Sequence, residues 1–119
     1  MTIKEVSEKF NISADTLRYY EKVGLIGPIK RKSNIRNYEE EDLKRIEFVK
    51  CMRSADFQIE ALVKYMKLFD EGNDTVGLRR ELLIEQRDIL KNKLDKMNKA
   101  YERLNYKIDL YDKNLLERM

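Results

Sequence analysis

Apolar residues recur in steps of three and four along most of this chain, and the interruptions divide it into four short helices, a hairpin and one long helix. Ile3, Val6 and Phe10 share one helical face, and Thr2 with Glu5 has the Thr-x-x-Glu spacing of a capping box. Asn11 and Ile12 interrupt that helix. Ser13 is placed to cap the next by accepting a first-turn amide, and Leu17 and Tyr20 carry the stripe on until Gly24 stops it. Two short helices joined by so tight a turn suggest a helix-turn-helix. Gly27-Pro28 cannot continue a helix, and the residues from Lys30 to Tyr38 alternate around Ser33-Asn34, which predicts a small β-hairpin, or wing. The acids Glu39, Glu40, Glu41 and Asp42 suit the amide end of a third helix, whose stripe of Leu43, Ile46 and Val49, with Phe48 and Met52 beside it, runs to Arg53. After a break at Ser54-Ala55-Asp56, Ile59, Leu62, Val63, Met66 and Phe69 define a fourth helix that ends around Glu71 to Asp74.

The last third of the chain differs in kind. Leu83, Arg87, Leu90, Leu94, Met97, Tyr101, Leu104, Ile108, Tyr111 and Leu115 alternate steps of four and three, the 3.5-residue repeat of a coiled-coil seam. A helix from Thr75 to Asp112, capped by Asp74 or Thr75, would be roughly 57 Å long at about 1.5 Å per residue. Its own chain offers no second segment to cover the stripe, so a homodimer is expected through Leu83, Leu90, Leu94, Met97, Tyr101, Leu104 and Ile108. The expected organisation is a mainly α protein, with a head over 1–71 and a coiled-coil dimerisation helix with a short tail over 72–119.

Composition narrows the chemistry. The 119 residues leave room for one compact domain and an appendage. A formal net charge of +3 on a 39% charged chain is too small for bulk electrostatics to argue for nucleic acid, but the charge is uneven. No acid lies between Lys22 and Glu39, where Lys30, Arg31, Lys32 and Arg36 form a basic tip. With no histidine and one cysteine, Cys51, there is no intramolecular disulfide, no Cys/His zinc cluster within one chain and no histidine acid-base catalysis. Scattered carboxylates, no glycine-rich phosphate cradle and no nucleophile-base pair argue against an enzyme; no cofactor and no metal are expected. No apolar run approaches the roughly 18 residues of a membrane span. The start lacks a signal-peptide core, so a cytoplasmic protein with no membrane partner is expected.

The order of these parts carries a resemblance. Thr16-Leu17-Arg18-Tyr19-Tyr20-Glu21, then Gly24-Leu25 and Pro28, then Arg36-Asn37-Tyr38 and the acid-rich start of a helix containing Leu43, closely resembles the MerR family of bacterial transcription regulators over about Met1 to Phe69. The resemblance implies a winged helix-turn-helix DNA-binding head with a small β-hairpin wing, followed by a long C-terminal dimerisation helix in an antiparallel coiled coil. The second helix would enter the major groove of double-stranded promoter DNA while the wings grip the backbone. On the matching positions Thr16, Arg18 and Tyr19 would face DNA, with Ser13 at the start of their helix, and Arg36 and Tyr38 would hold phosphates. Lys32 joins them on charge and position. The wing departs from the family in carrying Asn34-Ile35 where Gly-Tyr is usual, and Asp56 stands where a glycine is common, a position Asp can fill in a left-handed conformation.

Lys50-Cys51-Met52-Arg53-Ser54-Ala55, with 83–87 and 104–108, further resembles the AdhR-like or NmlR-like branch, which answers aldehydes and related electrophiles through a cysteine in the third helix. Cys51 occupies that place, and its modification would act at a joint between reader and dimer helix. The implied mode of action is bending and untwisting of a promoter whose elements are set too far apart, so that RNA polymerase engages both, in a bacterial, nucleoid-associated setting. Two rival readings stay open from the residues. One is a family member with another trigger, or none, in which Cys51 is a small buried hydrophobe one turn beyond Phe48; the other is a coiled-coil adaptor whose head binds protein.

Overall fold

The computed structural model describes residues 1–115. The chain forms α1 (Ile3–Phe10), α2 (Ala14–Val23), β1 (Arg31–Lys32), β2 (Ile35–Arg36), α3 (Glu40–Ser54), α4 (Ile59–Glu71), one 3₁₀ turn (Asn73–Thr75) and α5 (Val76–Asp112). It separates into two compact units, 1–84 and the part from Glu85 onward.

Local chemistry sets most of these ends. The Thr2 hydroxyl accepts the Glu5 N–H while the Glu5 carboxylate accepts the Thr2 N–H, closing the expected capping box on α1. The Ser13 hydroxyl accepts the Thr16 N–H at 3.1 Å and caps α2. Gly24 ends α2 at φ +87°, a left-handed conformation that costs a residue with Cβ. In the hairpin, Ser33 and Asn34 both have positive φ, the backbone of a two-residue turn whose twist matches the strands. The register is antiparallel, Arg31 opposite Arg36 and Lys32 opposite Ile35. Asp56 takes φ +64° between α3 and α4, as expected of a residue standing in for glycine there. The acids at the start of α3 include a capping pair, Glu39 with Asp42.

In the first unit Val6, Leu17, Leu25, Ile46, Val49 and Leu62 are essentially closed to solvent, and Phe10, Tyr20, Ile29, Phe57 and Met66 complete the core around them. Every short helix contributes. The Arg45 guanidinium ties three segments together, donating to the Leu25 carbonyl at 2.9 Å and in two-pronged fashion to Asp70 at 2.7 and 2.9 Å. Those Arg45 hydrogen bonds, opposed by partial burial, hold the Asp70 carboxyl below its usual value. The junction after α4 departs from the expected cap. Thr75 is buried and its hydroxyl donates to the Leu68 and Gly72 carbonyls, so it closes the end of α4 instead of capping α5. Phe69, expected on the inner stripe of α4, is 52% exposed and carries the Arg79 guanidinium over its ring at 5.3 Å.

The second unit is the remainder of α5, with surface ion pairs one turn apart such as Lys91–Asp95 and Asp109–Lys113. Along α5 the seam residues Leu83, Leu90, Leu94, Met97, Tyr101, Leu104 and Ile108 are 38 to 70% exposed.

Two outcomes follow for stability. Leu17→Ala should lower the unfolding free energy by about 2–5 kcal/mol, measured by urea titration, because the site is enclosed on all sides. Since the folded-state value of Asp70 is depressed, its contribution is complete above the ordinary aspartate range and disappears as pH falls through the depressed value. Asp70→Asn should therefore flatten the acid limb of a stability-versus-pH curve while leaving the neutral-to-alkaline limb unaltered in shape.

Candidate nucleic-acid interface and thiol site

The outer face of α2 is built by exclusion. Leu17 and Tyr20, three apart, turn into the core, which leaves Asp15, Arg18, Tyr19 and Lys22 exposed and Thr16 half-buried at the start of the helix. Arg18 reaches back one turn to Asp15 at 2.8 Å, an exposed pair of the kind worth little in water and readily exchanged for another acceptor. Tyr19 is outward, its ring 6.4 Å from that of Tyr20. Ser13 lies at the same end, but its hydroxyl is occupied by Thr16, accepting the N–H and donating to the side-chain oxygen at 2.8 Å. Thus Ser13, Thr16, Arg18 and Tyr19 stand together on one element.

The wing presents a second patch. Lys30, Arg31 and Lys32 are exposed; Lys30 lies 3.6 Å from Glu39, and Arg31 donates to the Asn34 carbonyl within the turn. Lys32 has no ion pair among the described residues. The two wing residues expected to hold phosphates are arranged otherwise. Arg36 is turned toward α2, its Nε donating to Glu21 at 2.8 Å. Tyr38 is 2% exposed, and its hydroxyl is buried without a hydrogen-bond partner among the described residues. Burial pushes that hydroxyl up from the usual tyrosine value, only partly offset by Arg36, so it stays neutral. The Tyr38 ring belongs to the core cluster.

Glu21 was legible in the sequence only as part of a motif. Its signal was positional: it is the last acid before the acid-free basic stretch that ends at Glu39. Cys51 lies on α3 with Met52 half-buried beside it, and it is exposed on the single chain, unlike the buried filler that one reading of the sequence allowed. Its backbone carbonyl accepts the Ser54 hydroxyl at 2.6 Å and the Ala55 N–H, which tightens the last turn of α3. Of the two basic neighbours, Lys50 is exposed, whereas Arg53 donates to the Phe57 carbonyl at 2.6 Å and closes the α3–α4 turn. Among the described residues no group of three or more His, Cys, Asp or Glu is placed to hold a metal ion, and no helix is long and apolar enough to cross a membrane.

Residues 1–68, the whole of the helix-turn-helix, wing and α3–α4 arrangement, match the MerR HTH family of regulatory proteins. The chain belongs to the MerR family. That family is one of transcription regulators and not an enzyme family. Among curated MerR relatives, the HTH-type transcriptional regulator AdhR of Bacillus subtilis (strain 168) is 55% identical over 91 residues, 76% of this chain and 65% of that protein, so the matched segment spans slightly under two thirds of its length. A crystal structure of a putative MerR family transcriptional regulator from Listeria monocytogenes superposes with a TM-score of 0.88 at 51% identity, covering 97% of this chain and 88% of the other. HiNmlR, a MerR family regulator lacking the sensor domain and crystallised bound to promoter DNA, superposes with a TM-score of 0.77 at 26% identity, covering 94% of this chain and 90% of the other. These likenesses place this MerR protein close to the AdhR/NmlR branch, as the residues around Cys51 suggested.

For this MerR regulator the open seam of α5 is a surface suited to a second copy. Placing Glu at both Leu94 and Leu104 should convert a dimer to a monomer in analytical ultracentrifugation, with the far-UV helical signal reduced because a single long seam-bearing helix loses its partner.

Proposed function

We propose that this protein is a homodimeric, promoter-binding transcription regulator that answers thiol-reactive electrophiles, aldehydes among them, through Cys51. The observation that carries the reading is that the chain's one thiol stands exposed on α3 of a DNA-reading fold. Similarity to AdhR and to a regulator crystallised on promoter DNA supports it.

In this reading α2 lies in the major groove. Arg18 leaves Asp15 for a base edge or phosphate, Thr16 and Tyr19 supply hydroxyls to the backbone, and Ser13 holds the first turn in shape. Lys32 grips phosphates from the wing, and Arg36 and Tyr38, turned inward, act by shaping it. Two heads joined by the antiparallel pairing of Leu83, Leu90, Leu94, Met97, Tyr101, Leu104 and Ile108 would meet matching half-sites on one duplex. The head over 1–71 reads DNA and the helix and tail over 72–119 join the copies.

At Cys51 the thiolate sulfur attacks the carbonyl carbon of an aldehyde. An S–C bond forms, the π pair moves to oxygen, and that oxygen takes a proton, giving a hemithioacetal without oxidation or reduction. The adduct activates transcription only if the modified dimer binds distorted promoter DNA more tightly than the unmodified dimer does, since an effector shifts an equilibrium by its differential affinity alone. The bent, untwisted promoter then lets RNA polymerase engage both of its elements, in the cytoplasm at the bacterial nucleoid.

The test is a reporter driven by the protein's own upstream promoter, comparing wild type with Cys51→Ser under formaldehyde, methylglyoxal, a thiol oxidant and metal salts. The expected result is loss of the aldehyde response with operator affinity unchanged. An equal response in both proteins defeats the sensor assignment and leaves the DNA-binding reading standing.

A further inference from the structure

The wing is fastened to α2 by one side chain. Glu21, in the last turn of α2, accepts the Ile29 N–H at 3.1 Å through one carboxylate oxygen and Arg36 Nε at 2.8 Å through the other. Ile29 leads into β1 and Arg36 belongs to β2, so a single carboxylate holds both arms of the hairpin. Both partners of the ion pair are largely sheltered, with side chains 24% and 18% exposed, unlike the surface pair of Arg18 with Asp15. The approach is close enough to require glycine beside it. A Cβ at Gly27 would stand 2.8 Å from the Ile29 nitrogen and 3.1 Å from Glu21 Cγ, at a φ of +78° that side chains with Cβ rarely adopt.

The hairpin itself supplies the reason for such a fastening. Its register sets Arg31 directly opposite Arg36, and like charges facing across a strand pair repel. With only two residues in each strand the ladder offers little to oppose that repulsion. The Glu21 carboxylate is bonded to Arg36 and within electrostatic reach of Arg31, so it offsets one of the two facing charges. Burial works against its charge, but the hydrogen bonds from Arg36 and the Ile29 N–H outweigh that and keep it ionised below the ordinary glutamate range.

We infer that Glu21 is a positioning residue for DNA recognition and that Arg36 is its strut partner, not a phosphate ligand, the pair holding the basic wing at a set angle to α2. This rests on the DNA-binding reading above. It assigns the electrostatic grip of the wing to the exposed first strand, with Lys32 as its free cation among the described residues. A guanidinium that holds Glu21 adds no counterion release on binding, whereas one that replaces counterions at a phosphate does.

The experiment compares full-length wild type with Glu21→Ala, Glu21→Gln, Arg36→Ala, the Glu21→Ala/Arg36→Ala double variant and Lys32→Ala. Affinity for the upstream promoter duplex is measured across a salt series, and amide hydrogen exchange over 29–37 is measured without DNA. Glu21→Ala and Arg36→Ala should each weaken binding by about 10- to 100-fold, as expected for loss of a charge-assisted hydrogen bond. The double variant should be no weaker than the weaker single, and the salt slope of Arg36→Ala should equal that of wild type. Lys32→Ala should lower the slope by about 1.8, roughly 0.9 for each of the two wings on the duplex. Glu21→Gln, which keeps one acceptor oxygen but replaces the other with an NH2 donor and removes the charge, should fall between wild type and Glu21→Ala. Exchange at Ile29 and Asn37 should rise alike in both single alanine variants. A slope reduced by about 1.8 in Arg36→Ala, roughly 0.9 per wing, with Glu21→Ala binding as tightly as wild type or more so, makes Arg36 a phosphate ligand and overturns the assignment. If wild type ignores every duplex, the DNA-binding reading fails; exchange over 29–37 then decides the strut alone, and unchanged protection in Glu21→Ala refutes it.

Discussion

Everything this head presents to a partner depends on enclosing Leu17. Helices of 8 and 10 residues are too short to persist in water by their own hydrogen bonds, since isolated helices below about 12–15 residues are marginal. Leu17 and Val6, buried in one cluster with Ile46, Val49 and Leu62, supply the burial that makes α1 and α2 exist at all. The same burial orients them. Once Leu17 and Tyr20 point inward, the helical period leaves Arg18 and Tyr19 outward, so the character of the reading face is a by-product of core packing.

Polar contacts then add direction to a core that is itself nondirectional. Arg45 joins the end of the helix-turn-helix, through the Leu25 carbonyl, to the end of α4, through Asp70. Glu21 joins α2 to both arms of the wing. Arg45 acts as a two-pronged donor and Glu21 as a two-pronged acceptor, so in each a wrong angle leaves a charge without its partner. Such contacts specify relative orientation more than they add to stability, and orientation is what a protein reading two features of one duplex needs.

The long helix carries an opposite kind of surface. Where the core hides its apolar residues, α5 leaves a stripe of leucines, tyrosines, Met97 and Ile108 open along its length. Water does not favour so continuous a seam, and a second identical helix is the partner whose spacing is guaranteed to match. Cys51 is of the same outward-facing type, a small thiol left uncovered near the end of α3, while its basic neighbour Arg53 is committed to the Phe57 carbonyl.

Much of this organisation was legible in the linear order of residues because its causes are local. The Thr2–Glu5 capping box, the Ser13 cap, the stop at Gly24, the Ser33-Asn34 turn and the left-handed Asp56 each depend on residues within about one turn. The seam of α5 is legible for the same reason, since its spacing is intrinsic to one helix. Other features depend on what the folded chain brings alongside. Alternation across strands of two residues is too short a signal to tell the inner face from the outer, so only the packed core determined that Tyr38 turns inward. Arg36 looked like a free cation until the fold brought Glu21, fifteen residues earlier, within 2.8 Å of it. Phe69 continued the stripe of α4 by its period, yet the turn at Asn73–Thr75 set Arg79 over its exposed ring, while Thr75 went to the carbonyls of the preceding helix. Periodicity and capping settle which elements form, because both act along the chain; burial and charge pairing between distant segments settle which faces those elements keep for function, because both exist only across it.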